Sequence, residues 1–224
     1  MVERERVVFL VHGLWRTRFS LLRLEICLRQ AGFTVVNRSY QATKKPLPEH
    51  AADLHGLVEK ALAGRKPREV HFVTHSMGGM VVRYYLTHFP LAHPGRFVML
   101  APPNQGSRKL EMFKGVPLVR LLLGPYAPSE LGIGEGTLSR EAGIPDREFG
   151  IIAGGTGTDR GYSFFLSGDN DGTVSVEETR LEGAKDFLLV PRLHTFIMNG
   201  REVIDATIAF LETGRFRALS RPGS

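Results

Sequence analysis

Ser76 stands in the run EVHFVTHSMGGMVVRYYL, residues 69–86, where one apolar stretch gives way to another of different period. Val70, Phe72 and Val73 read as a buried strand, while Met80, Val81, Tyr84 and Tyr85 recur at helical spacing, so the serine falls on a strand-to-helix turn. A turn that short pushes its apex residue toward positive φ, and Gly78 and Gly79 supply the small neighbours this requires. A hydroxyl exposed there can act as a nucleophile. Serine is also a preferred helix cap, so the residue alone is compatible with a purely local role.

A serine attacks a carbonyl only with help: a base within hydrogen-bond reach, a carboxylate behind that base, and donors for the oxyanion. In an open parallel sheet these partners belong in loops that follow strands. That criterion prunes the eight histidines. His71 lies inside a strand pattern, His12 and His75 end strands within other motifs, His50, His55 and His88 fall in helical patterns, and His93 sits in a proline-flanked turn. His194, in FLLVPRLHTFIMNG, follows the final strand and is the candidate base. The candidate acids are Asp169 and Asp171 in SGDNDGTVSVEET; their residue types do not separate them, and such Asn-Asp-Gly clusters also serve as plain turns. Their alternate spacing resembles part of a calcium loop, but the remaining ligand positions are out of register. Oxyanion donors are expected from the Met77 amide, at the positive end of the helix after Ser76, and from the Leu14 amide, which Gly13 in VFLVHGLWRT turns toward the serine.

The elements that must position these groups alternate. Strands are expected at Val7–Val11, Phe33–Arg38, Glu69–Thr74, Arg96–Ala101, Gly150–Ala153 and Phe187–Val190, and helices at Ser20–Gln30, Glu49–Ala63, Met77–His88 and Arg201–Glu212. The last helix is expected to carry Asn199 as N-cap, with Glu202 completing a capping box, and to stop at Gly214. The predicted class is α/β, a three-layer α/β/α sandwich on a mostly parallel six-stranded sheet. One domain is expected over 1–214, and the basic end, 215–224, reads as a frayed tail. Residues 102–148 are too long and too rich in Gly and Pro for a simple crossover, and the apolar VPLVRLLLG within them reads as a cap beside the site or a packed surface helix.

Taken together, VHGLW after the first strand, THSMGG at the turn, APPNQGS after the fourth strand, DNDGTVSVE after the fifth and LHTFIMN after the sixth resemble the α/β-hydrolases, specifically small lipase- and esterase-like members with a minimal six-stranded sheet. The resemblance spans nearly the whole chain, and Ser76, Asp171, His194 is the chain order that fold uses. It implies Ser76 as nucleophile, His194 as base and then acid, Asp171 as the orienting acid, and Leu14 and Met77 as the oxyanion-hole amides. One position departs from the family pattern: the first glycine of G-x-S-x-G is Thr74 here, which requires strand and helix to separate or the hydroxyl to find a partner.

The expected activity is serine-dependent hydrolysis of carboxylic esters with no cofactor and no metal. Trp15 and Phe19, beside the oxyanion loop, point to an apolar acyl or lipid-like substrate. The same machinery serves a thioesterase or acyltransferase, and a silent binding module on this fold is the reading from another class. A formal charge of +6 permits weak attraction to anionic surfaces, but no aromatic-interleaved basic motif suggests nucleic acid, and no run has membrane-spanning length. The first residues, MVERERVVFLVHG, lack the pattern of a signal peptide, and the single Cys27, expected as a small core residue, is compatible with a reducing compartment, so a cytoplasmic location is expected.

Overall fold

In the computed structural model, which describes residues 5–113, 115, 125–126, 130–132 and 141–216, the strands are β1 (Arg6–Val11), β2 (Thr34–Asn37), β3 (Glu69–His75), β4 (Pro94–Leu100), β5 (Phe149–Gly154) and β6 (Asp186–Val190). They form one sheet in the order β2-β1-β3-β4-β5-β6, and every pairing is parallel. Strands buried on both faces favour apolar side chains on both, which is why β1 and β5 are nearly continuous apolar runs, while the central β3, EVHFVTH, also buries His71, Thr74 and His75.

Alternation along the strands divides the core in two. Val7, Phe9, Val70, Phe72, Phe97 and Ile151 pack under α2 (Leu47–Leu62) and α3 (Met77–His88). Val8, Leu10, Val73, Val98, Ile152 and Val190 pack under α1 (Leu22–Gln30) and, at the chain's end, the Arg201–Thr213 helix. The result is the expected α/β/α sandwich. Among the described residues, two shorter helices follow the later strands, α4 (Arg108–Phe113) after β4 and α5 (Val176–Thr179) after β5, and Arg201–Thr213 is labelled α6.

Several boundaries differ from expectation. The predicted Ser20–Gln30 helix begins instead as a 3₁₀ turn, Arg18–Leu21. The capping box expected at Asn199 does not form: Asn199 closes a 3₁₀ helix over His194–Asn199, Gly200 is the N-cap of α6, and the Glu202 carboxylate is taken by Arg192 at 2.5 and 3.1 Å. The ion pair outcompetes the backbone amide for that carboxylate. A capping box does occur at Ser175 and Glu178 in α5, where the S-V-E-E spacing carries the signal. Cys27 is half-buried in α1 against the second core cluster. The apolar run 116–124 and the tail residues 217–224 lie outside the described residues.

Because all six strands run the same way, their carboxyl ends share one edge of the sheet. The strand order reverses between β1 and β3, since the chain leaves β1 toward β2 and returns on the other side. A crevice forms at such a switch point, and the loops after β1 and β3 meet there. The meeting is tight: a Cβ on Gly78 would press into the Val11 carbonyl oxygen and stand 2.8 Å from that of His12. Gly78→Ala is therefore expected to lower stability by roughly 1–3 kcal/mol or more, read as a drop in the urea midpoint.

Candidate active site

Ser76 has φ 53° and ψ −128°, outside the regions an L-residue prefers. It is held there by its own amide, which donates to Leu100 O across the sheet (2.9 Å), and by its carbonyl, which accepts from Gly79 N (2.9 Å). The side chain makes no capping bond to α3; its Oγ lies 3.0 Å from Nε2 of His194. Gly13 permits this arrangement, since a Cβ there would stand 2.8 Å from Ser76 Cβ. Thr74 fits without displacing α3, its Oγ1 at 3.4 Å from where a Cβ on Gly79 would be, but the hydroxyl is buried and finds no partner among the described residues. An unsatisfied buried hydroxyl costs about 1–3 kcal/mol.

His194 is buried and held from several sides. Its amide donates to the Asp171 carbonyl (2.9 Å), and its Nδ1 stands 2.7 Å from Asp171 Oδ2. A carboxylate only accepts, so Nδ1 carries the proton and Nε2 presents its lone pair to the Ser76 hydroxyl. Asp171 is itself buried, with Oδ1 accepting from Thr173 N (2.9 Å) and Val174 N (2.8 Å). Asp169 faces elsewhere. Its carboxylate accepts from Thr156 N (2.7 Å), Thr156 Oγ1 (3.1 Å) and Gly157 N (2.9 Å), and so ties down the loop after β5. The two acids that composition left equivalent are thus separated by geometry. Among the described residues no group of His, Cys, Asp or Glu could hold a metal ion.

The structure brings Ser76, His194 and Asp171 together at the switch point, with Leu14 on the cleft wall and Met77 at the start of α3. Among the described residues the amides of Leu14 and Met77 have no hydrogen-bond partner. Trp15 (φ 57°) and Ala101 (φ 48°) share positive φ with Ser76, each just after a strand at the sheet edge that bears the site, while His93 (φ 58°) stands just before β4 at the other edge. The cleft measures about 380 Å³ and is mainly apolar, walled by Leu14, Trp15, Leu131 and Val174 above Ser76 and His194. Phe19, expected to bind substrate, is not among its lining residues; it is exposed on the outer surface with the Arg18 guanidinium 4.7 Å above its ring. A second cavity of about 410 Å³ lies between α2 and the end of β2 and contains neither Ser76 nor His194.

Two residues that sequence reasoning set aside support the site. His75 is fully buried, and its Nε2 donates to the His194 carbonyl (3.0 Å), tying the loop after β6 to the end of β3. His12 donates from Nδ1 to Gly13 O (2.9 Å) and accepts at Nε2 from Tyr40 N (3.2 Å), while Tyr40 donates its hydroxyl proton to His12 O (2.7 Å). That network fixes the turn carrying Leu14. The only sequence signal for either was adjacency to the Gly13 and Ser76 motifs.

Against this geometry, the sequence profile of the Alpha/beta hydrolase family matches residues 7–201, and the chain belongs to that family. A search of curated proteins by sequence finds no match. Among solved structures, the mature form of Bacillus licheniformis lipase BlEst2 superposes with a TM-score of 0.71 at 17% identity, over 96% of this chain and 94% of that one. A gene lin2722 product from Listeria innocua gives 0.66 at 14% identity over 96% of each chain. The metagenomic carboxyl esterase MGS0156 gives 0.58 at 17% identity, over 88% of this chain and 66% of that one. At such identities the likeness is one of fold.

Burial also sets the charge state of four histidines. It lowers the pKa of His12 and of His50, takes His71 down to about 3 with help from Arg96, and holds His75 well below the ordinary value, His194 adding to the effect. Each is neutral in the fold but binds a proton at about pH 6.5 when unfolded, so the unfolded chain holds more protons below that pH. Stability is therefore expected to be full above about pH 6.5 and to fall as pH drops toward each folded value, with up to about 1.4 kcal/mol lost per pH unit per histidine. Urea denaturation across pH 4 to 8 checks this; a flat profile would contradict the neutral assignment.

Proposed function

We propose that the protein hydrolyses carboxylic esters through an acyl-enzyme on Ser76. The observation that carries this reading is the unbroken chain from Ser76 Oγ to His194 Nε2 (3.0 Å) and from His194 Nδ1 to Asp171 Oδ2 (2.7 Å), in a cleft open to a small molecule. In the proposed reaction Ser76 Oγ attacks the ester carbonyl while its proton passes to His194 Nε2. Asp171 holds the ring in the tautomer that can accept this proton and stabilises the resulting imidazolium. The oxyanion lies against the Leu14 and Met77 amides, which need no reorganisation to receive it. The alcohol leaves with the proton from His194, and a water activated by the same ring then hydrolyses the acyl-enzyme. No cofactor enters. The apolar walls favour an apolar acyl group, with Trp15 against it.

A fluorophosphonate probe is expected to label the native protein and not Ser76→Ala. The same substitution is expected to lower hydrolysis of p-nitrophenyl butyrate by at least about a thousandfold with the thermal transition unchanged. Turnover retained in the folded variant would refute the reading and leave a binding module as the better one.

The acids give a sharper test. Asp171→Asn is expected to cost about 10⁴ in kcat, because an amide no longer enforces the Nδ1–H tautomer. Asp169→Asn is expected to leave kcat within about tenfold and to lower stability instead, by roughly 1–3 kcal/mol, since Asp169 holds a loop and not the base. Reversed effects would assign the acid to Asp169.

A further inference from the structure

The loop after β5 carries two adjacent phenylalanines with no cover: Phe164 is 93% exposed and Phe165 73%. Water disfavours both, and no slack in the chain accounts for them, because the loop is firmly built. The Asn170 side chain accepts from Ser163 N (2.8 Å) and donates to Ser163 O (3.1 Å) and Gly168 O (2.9 Å), and Leu166, the next residue, is buried. A fold that buries Leu166 and pins Ser163 holds the two rings outward. Exposed apolar surface of this kind marks a contact with something apolar.

The loop that carries these rings reaches the cleft mouth, where Thr173 lines the cleft. Tyr162 and Leu193 both border Gly172, Leu193 precedes His194, and Arg16 donates to Thr195 O (3.5 Å), linking the loop after β6 to the loop with Trp15 and Phe19. Phe196, Trp15 and Phe19 are all exposed as well. Arg18, stacked over Phe19, Arg23, which donates to Asn199 O (2.9 Å), and Arg160 are exposed, and Arg16 is half-buried next to Trp15 in sequence. Opposing charge is limited: Asp171 is buried against His194, Asp169 is engaged by Thr156 and Gly157, Asp159 is the exposed acid among residues 12–24, 155–170 and 191–200, and farther along the loop after β5 Glu177 pairs with Arg180 while Glu182 is exposed.

From this juxtaposition we infer that the loops after β1, β5 and β6 form a docking face for an anionic lipid surface, with Phe164 and Phe165 entering the acyl layer and the arginines meeting the headgroups. Aromatic residues beside arginines at a membrane boundary combine apolar burial with attraction to anionic lipid. A second copy of this chain fits less well, because a two-fold contact through this face would oppose one arginine collar to the other. Docking would set the mouth of the cleft against the lipid. Binding is independent of chemistry at Ser76; only the step from binding to lipid esters as substrate rests on the esterase reading.

The test is flotation with vesicles of equal parts phosphatidylcholine and phosphatidylglycerol, against vesicles of phosphatidylcholine alone. The full chain and Ser76→Ala are both expected to float with the anionic vesicles, less at high salt, and weakly with the neutral ones. The double variant Phe164→Ser with Phe165→Ser is expected to bind at least about tenfold more weakly, with its thermal transition and its hydrolysis of soluble p-nitrophenyl butyrate unchanged. Arg18→Gln with Arg160→Gln is expected to lose binding several-fold and to flatten the salt dependence. No binding by the full chain, or equal binding by the phenylalanine variant, would overturn the proposal. Self-association of the full chain that the phenylalanine variant abolishes, without vesicle binding, would replace it with an interface between copies. Should Ser76→Ala float while the native protein proves inactive on esters, the docking face stands and the esterase reading falls.

Discussion

Everything at the site depends on keeping Ser76 in a backbone conformation that a free chain avoids. A serine at positive φ between strand and helix costs on the order of 1–3 kcal/mol, and the conformation persists only where the surroundings leave no alternative. Here the amide is taken by β4 and the carbonyl by the first turn of α3, while β1 closes against the other side at Gly13 and Gly78. A relaxed serine would require α3 to part from β1, opening the core under Met80 and Val81. The strain is thus held by packing, and its product is a hydroxyl that faces the crevice.

The groups around that hydroxyl are held by a second tier of interactions. His75 binds the carbonyl of His194, the amides of Thr173 and Val174 hold Asp171, and His12 with Tyr40 holds the turn that bears Leu14. Burial keeps His75 and His12 neutral, so each can donate one hydrogen bond in a fixed direction without placing a positive charge beside the catalytic candidates. A charged His75 would repel an imidazolium at His194 and so oppose the state in which the proposed base holds the serine's proton. Rigidity and electrostatics therefore serve the same atom.

Parallel strands deliver the loops after β1, β5 and β6 to one edge, so the exposed residues Trp15, Phe164 and Phe196, far apart in sequence, all lie in loops that leave that edge. The same topology that assembles the candidate triad assembles this collar, so site and surface are aligned by one constraint.

Much of this was legible in the chain because the signals are local. Apolar runs of strand length alternating with helical periods predicted six strands, and the parallel sheet has six, with ends displaced by one or two residues. The THSMGG turn announced its own geometry, since the need for small neighbours at a positive-φ residue is met within three residues. What needed the tertiary structure was any choice between groups of the same chemical type. Asp169 and Asp171 differ only in which way each faces once the loops after β5 and β6 are packed together. Glu202 could cap a helix or pair with Arg192, and a partner ten residues away decided it. Phe19 lay next to the oxyanion motif in sequence yet does not line the cleft: it sits in a 3₁₀ turn over Arg18–Leu21, exposed at the surface. Sequence determined which elements and reactive groups this protein has; only the folded sheet decided which of them meet, because hydrogen bonds between loops depend on distances that no local pattern encodes.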